Sequence, residues 1–141
     1  MEQINVQVCL KHPKITLKHY TREAAGFDLH CIEECTLLPY QPILVKTGLG
    51  LKLPKGFTGF IKGRSSMASK GVNVFQGVVD SDYVGEINLV LCNMTDRPII
   101  IEAFQRVAQL VLLKYYQAIF VPEVFDSSVG KRIAGFGSTG V

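Results

Sequence analysis

No apolar run in this chain is long enough to cross a bilayer, and its first residues, MEQINVQVCLKHPK, lack the apolar centre of a secretion signal. A membrane role is therefore not expected, and the protein should be intracellular, cytoplasmic or nuclear. Charge imbalance is equally scarce. Fifteen basic residues against 12 acidic ones leave a net charge of +3, too mild for a dedicated nucleic-acid binder yet compatible with a small anionic ligand. Cys9, Cys31, Cys35 and Cys92 show no paired metal spacing, and His12, His19 and His30 are scattered, so reduced thiols and no zinc site are expected. There are no repeats, no low-complexity blocks and no internal domain boundary. Helical character is confined to residues 65–70.

What the chain does contain is many short β-type runs. They fall at residues 4–10, 27–32, 43–47, 49–53, 57–62, 72–75, 86–92, 99–101, 107–116 and 120–124, and PYQP, TG, PKG and TDRP punctuate them. This spacing predicts an all-β fold, a jelly-roll-like barrel with one short helix. At 141 residues the chain is one domain with enough interior for a real core. Beyond Phe125 the composition turns to glycine and serine, so residues 1–125 should form the core and 126–141 a flexible arm closing over the active site.

One stretch carries an unexpected charge. In Gly77-Val78-Val79-Asp80-Ser81-Asp82-Tyr83-Val84-Gly85-Glu86-Ile87 two β-type runs flank a polar tip, which reads as a hairpin. Asp80 directly follows two valines that should enter a core. Taken alone, Asp80 and Asp82 need do no more than make turn bonds to their own backbone. Four other strings are similarly plain in isolation. Ala25-Gly26-Phe27-Asp28-Leu29 could cap a turn, and Gly63-Arg64-Ser65-Ser66-Met67-Ala68 could be a serine-capped helix start. Phe104-Gln105-Arg106-Val107-Ala108-Gln109-Leu110 could be a buried strand, and the glycine-spaced run from Gly130 to Gly140 could be a linker.

Together, and in this order, the five strings resemble the motifs of the trimeric dUTP pyrophosphatases. The central one matches G-[VL]-[IV]-D-x-x-Y-x-G-E without a gap, and the set extends from residue 25 to 140. Departures are few. Gly63 replaces a usual proline, Phe104 and Gln105 replace a glycine and an acid, and Lys131 with Arg132 stand where arginine and glycine are usual. A polar residue that touches uracil in some relatives is here Val74, next to Asn73.

The resemblance implies a β-clip fold, a homotrimer with shared sites, dUTP as substrate and Mg²⁺ as cofactor. It implies that Asp80 activates a water for attack on the α-phosphorus, while Asp82 is structural. The backbone of Gly77, Val78 and Val79 would read uracil, and Tyr83 would lie under the deoxyribose and exclude a 2′-hydroxyl. Arg64, Ser65, Ser66 and Gln109 would serve the phosphates, and Asp28 would place Mg²⁺ through water. Lys131 or Arg132 would reach the γ-phosphate beneath a lid of Phe136, Gly137, Ser138 and Thr139, with Phe136 stacked on the base. Two other classes remain open. Thr139-Gly140-Val141 fits the S/T-x-Φ ending that PDZ-type domains bind, which would suit a catalytically reduced signalling ligand. A dCTP deaminase shares an R-S-S string but needs an added glutamate base that this sequence does not display clearly.

Overall fold

The computed structural model describes residues 1–126, 128, 130, 134 and 135. The expectations placed on Lys131, Arg132, Phe136, Gly137, Ser138 and Thr139 lie outside the described residues. The elements, in chain order, are β1 (Gln7–Leu10), β2 (Gly26–His30), β3 (Cys35–Leu37), β4 (Ile43–Lys52), β5 (Phe57–Gly63) and α1 (Ser65–Ser69). They continue with β6 (Val72–Val74), β7 (Gly77–Val79), β8 (Glu86–Asn93), β9 (Ile99–Ile101) and β10 (Arg106–Lys114).

The strands form two four-stranded sheets, β1-β4-β8-β6 and β2-β10-β5-β7, and a separate pair β3-β9. This is the expected all-β, jelly-roll-like arrangement, although among the described residues the sheets do not close into a barrel. Alternation drives it. In β8, Ile87, Leu89 and Leu91 are buried while Asn88 and Val90 face outward, the period of a half-buried strand. They meet Leu29, Val107 and Leu110 of the other sheet in one core cluster.

Four features differ from the sequence reading. Ile43–Lys52 form one strand rather than two, because Gly48 at φ +66° absorbs a register shift between Lys46 and Gly50 without ending the pairing. Strand β3 is too short and too mixed to show a pattern, and exists through its pairing with β9. No strand forms at residues 120–124. Phe120 is 90% exposed and Val124 95% exposed, so this apolar run has no sheet within its own chain to join. The fourth difference concerns the central stretch. β7 pairs with β5, and β8 pairs with β4 and β6, so the two runs belong to different sheets. Residues 80–85 are a bridge between sheets, not the tip of a hairpin.

Candidate active site

The bridge creates a wedge. β7 is the last strand of its sheet, so among the described residues its outer N–H and C=O groups have no ladder partner. β6 pairs with β8 only from Leu91 to Asn93, with one further bond from the Phe75 N–H to the Val90 carbonyl. The first residues of β8 are thus unpaired on that side as well. Between these two lengths of free backbone lies an opening of about 300 Å³, lined among others by Ile61, Gly77, Val79, Asp80, Tyr83 and Asn88. Exposed donors and acceptors on both walls suit a flat, polar-edged ligand. Gly77 keeps the wall thin, since a Cβ there would lie 3.2 Å from the Cδ1 of Ile61.

Asp80 stands exposed at the mouth of this wedge, on a rim shared with a larger hollow of about 820 Å³ lined in part by Lys52, Lys55, Ser81 and Tyr115. A turn bond from the Tyr83 N–H to the Asp80 carbonyl, 3.1 Å, folds the bridge back on itself. The Tyr83 hydroxyl donates to the Glu86 carbonyl at 2.6 Å. Its ring lies across Gly85, where a Cβ would come within 2.7 Å of the phenol oxygen. Val74 is buried in the core, so it adds nothing to the wedge.

The second group of expected site residues gathers elsewhere, on the face shared by β2, β10 and β5. Asp28 is buried and faces Gln109 across the ladder. Its Oδ1 meets Arg64 Nε at 3.1 Å, and its Oδ2 meets a terminal nitrogen of Arg106 at 3.3 Å. Arg106 is a motif residue to which the resemblance assigns no role. It reaches Asp28 because of a bulge. Arg106 pairs with His30 and Ala108 with Leu29, with Val107 looped out between them. That extra residue brings Arg106 and Gln109 to the same face despite their odd spacing.

Arg64 is also an internal tie, donating at 3.3 Å to both the Ser66 hydroxyl and the Arg106 carbonyl. Gln109 donates to the Gly63 carbonyl at 2.9 Å. Ser65 and Ser66 are exposed at the start of α1. His30, half-buried beside this group, has its imidazole pKa lowered. Burial is the main cause, the Asp28 charge opposes it, and Arg106, Arg64 and Lys18 reinforce it. The departures at Phe104 and Gln105 are accommodated. Phe104 takes the left-handed backbone a glycine would favour, φ +64°, and packs against the His12 ring at 4.6 Å with the planes tilted by 45°. Gln105 Oε1 accepts the Glu102 N–H at 3.0 Å, so the turn keeps its acceptor without the acid.

The two groups are far apart. Asp28 and Gln109 share a row with Lys62 of β5, whereas Asp80 follows Val79, whose partner on β5 is Gly59. Three strand spacings across and about four residues along place Asp28 roughly 20 Å from Asp80, and Gln109, one strand nearer, roughly 16 Å. The expected site residues therefore fall into two separate groups within one chain.

As a metal centre the chain is sparse. Among the described residues no three His, Cys, Asp or Glu side chains converge. Asp28, with a guanidinium on each oxygen, is a poor direct ligand for a dication. Its remaining lone pairs fit hydrogen bonds from metal-bound water.

Comparison with known proteins matches this arrangement to one family. The dUTPase family profile covers residues 12–140. The chain is 38% identical over 125 residues to the deoxyuridine 5'-triphosphate nucleotidohydrolase of Hydrogenobaculum sp., covering 86% of this chain and 87% of that one. It is also 38% identical over 134 residues to the same enzyme of Helicobacter pylori strain P12, covering 92% of both. In three dimensions it is similar to a dUTPase of Staphylococcus bacteriophage 80alpha bound to dUpNHpp, with a TM-score of 0.89 at 24% identity over 99% of this chain and 100% of that chain. A dUTPase of phage phi11, described with a structural Mg(II) ion, is similar at a TM-score of 0.74 and 20% identity, over 92% and 100% of the two chains. With profile, relatives and fold in agreement, the chain belongs to the dUTPase family.

Proposed function

We propose that the protein is a dUTP diphosphatase, like its relatives, and that it works as a cyclic trimer in which each active site is assembled from several subunits. The observation that carries this is the separation of the two groups. A base-binding wedge with Asp80 lies roughly 16 Å from Gln109 and roughly 20 Å from Asp28 of the phosphate-binding face in one chain, too far to act together on one α-phosphate. A closed ring brings the wedge of one subunit to the face of the next.

In that assembly uracil enters the wedge. Its O2 and O4 accept and its N3–H donates, a pattern that free backbone groups along Gly77, Val78 and Val79 can match. Cytosine reverses two of these groups, leaving unpaired polar atoms at about 1–3 kcal/mol each. Tyr83 lies under the sugar and leaves no room for a 2′-hydroxyl. Asp80 takes a proton from a water that attacks the α-phosphorus in line, and the bond to the bridging oxygen breaks to give dUMP and pyrophosphate. Such a base contributes about 10²–10⁴-fold.

Ser65, Ser66 and Gln109 of the adjoining chain hold the phosphates, and Arg64 orients this face by fixing Asp28. Asp28 would help hold Mg²⁺ by accepting from a water bound to the ion, which when present would supply charge neutralisation at the phosphates. Residues 126–141 of the third chain close the site, Lys131 or Arg132 toward the γ-phosphate and Phe136 on the base.

The test combines two inactive parents, Asp80→Asn and Gln109→Glu. Refolded together in equal amounts, they should form mixed trimers in which roughly a quarter of sites are intact by chance, and dUTP hydrolysis should return. Verified mixed trimers with no activity would exclude sites shared in this way. Pyrophosphate release from dUTP but not from dCTP or UTP tests the substrate.

A further inference from the structure

Lys11 lies outside every motif so far considered, at the end of β1. Its N–H donates to the Gly48 carbonyl at 2.9 Å, beside the left-handed Gly48 that bulges β4. Its ammonium group meets Glu86 Oε1 at 3.3 Å. The pair is unevenly placed, with the Lys11 side chain 55% exposed and that of Glu86 only 14%. Glu86 therefore holds a largely covered carboxylate whose counter-charge comes from a distant strand. The same residue opens β8, pairs with Gly50 across the bulge, and offers its carbonyl to the Tyr83 hydroxyl at 2.6 Å.

We infer that Lys11 is a positioning residue for sugar selection, acting through Glu86 on the Tyr83 ring. The inference rests on the reading of Tyr83 as the residue under the deoxyribose. The physical route is short. The ring rests directly on the Gly85 backbone, where no side chain fits, and its hydroxyl is fixed to the Glu86 carbonyl, so its tilt follows the backbone of these two residues. That bond depends on where the first residue of β8 sits. The Glu86 carboxylate without Lys11 would leave its covered position to regain solvation, and the carbonyl on the same residue would move with it. Excluding a single hydroxyl needs the ring placed to a fraction of an ångström, and displacements of this size change rates strongly.

The experiment measures kcat/KM for dUTP and UTP with the full trimeric protein. Lys11→Met should lower the dUTP-to-UTP ratio about three- to tenfold by raising efficiency on UTP, with kcat on dUTP near that of the parent. Lys11→Arg should restore the ratio. Tyr83→Phe, which loses the bond to Glu86, should lower the ratio similarly, and the double variant should lose no more than Tyr83→Phe alone.

A lowered melting temperature with an unchanged ratio in Lys11→Met would overturn the inference, leaving a purely structural ion pair. Additive losses in the double variant would overturn it too. Tyr83→Ala separates the two levels. If it moves the ratio while Lys11→Met does not, only the role of Lys11 fails, and if it leaves the ratio unchanged the sugar reading itself is wrong. Glu86→Gln removes the charge that would seek solvent, so adding it to Lys11→Met should restore most of the parent ratio. A protein carrying both changes that is as far from the parent as Lys11→Met alone would overturn the inference.

Discussion

Asp28 and Arg64 are joined across the sheet, Oδ1 to Nε at 3.1 Å, with the carboxylate side chain only 9% exposed. A residue expected to place a metal and one expected to touch phosphate are thus bound first to each other. Replacing Asp28 with alanine leaves Arg64, whose side chain is 21% exposed, without its carboxylate, while Arg106, 42% exposed, keeps access to water. A loss of about 3 kcal/mol in stability is expected, read by urea denaturation. A change below about 1 kcal/mol would mean that the pair behaves as a solvated surface bridge.

Asp80 is different in kind, exposed and free of ionic partners among the described residues. Asp80→Asn should abolish turnover while binding dUpNHpp within about tenfold of the parent. Calorimetric titration and pyrophosphate release measure the two effects separately. Near-normal turnover would remove Asp80 from the role of base.

Phe104 gives a prediction that inverts the usual order of substitutions. At φ +64° any side chain with a Cβ is strained, so Phe104→Ala keeps the strain and loses the ring contact with His12. Phe104→Gly loses the contact but relieves the strain. The alanine variant should be the less stable by about 1 kcal/mol, the reverse of their order in a strand or helix. Equal midpoints in a denaturant titration would show that the turn relaxes around either residue.

His30 links the same face to pH. Its folded-state pKa lies below 6.5, mainly through burial, so on acidification the unfolded chain takes up this proton first. Stability should be level above the unfolded value. It should fall as pH drops through about 6.5 toward the folded value. His30→Gln should flatten that part of the curve, and an unchanged slope would assign it to other groups.

The run at residues 120–124 bears on assembly. Phe120 and Val124 are exposed in the single chain, and an apolar β-type segment without a partner sheet is a site for pairing with another copy. Phe120→Asp should shift the protein from trimer toward monomer in analytical ultracentrifugation, with loss of activity. A stable, active trimer would place this run outside the assembly.

How far the sequence could be read follows from how local each signal is. The motif around Asp80 is legible because its chemistry is written in adjacent residues. The β-type run from Glu86 is legible because a two-residue period needs no partner to be seen. Which sheet an arm joins is a long-range property, and nothing within Gly77–Val79 states that its neighbour is β5 rather than β8. Strand β3 stays hidden for the same reason, since only Ile99–Ile101 makes it a strand. Arg106 was visible in its motif, but its partner Asp28 was not, because the bulge at Val107 reverses the face that simple alternation would assign. The run at 120–124 reads as a strand by local pattern, and no strand forms there. What its sequence could not state is that its own chain offers no edge for it.

The bridge from β7 to β8 has a mechanical consequence. Its ends are fastened to two different sheets, so the wedge is a gap between two bodies that only the core holds in register. Any sliding of one sheet over the other is transmitted to the wedge as a change of width. Residues such as Leu89 and Leu110, which pack in the core both sheets share, thereby help set the width of the gap proposed to hold the pyrimidine. Shaving a methyl group from that interior should register as altered base choice well before it registers as unfolding.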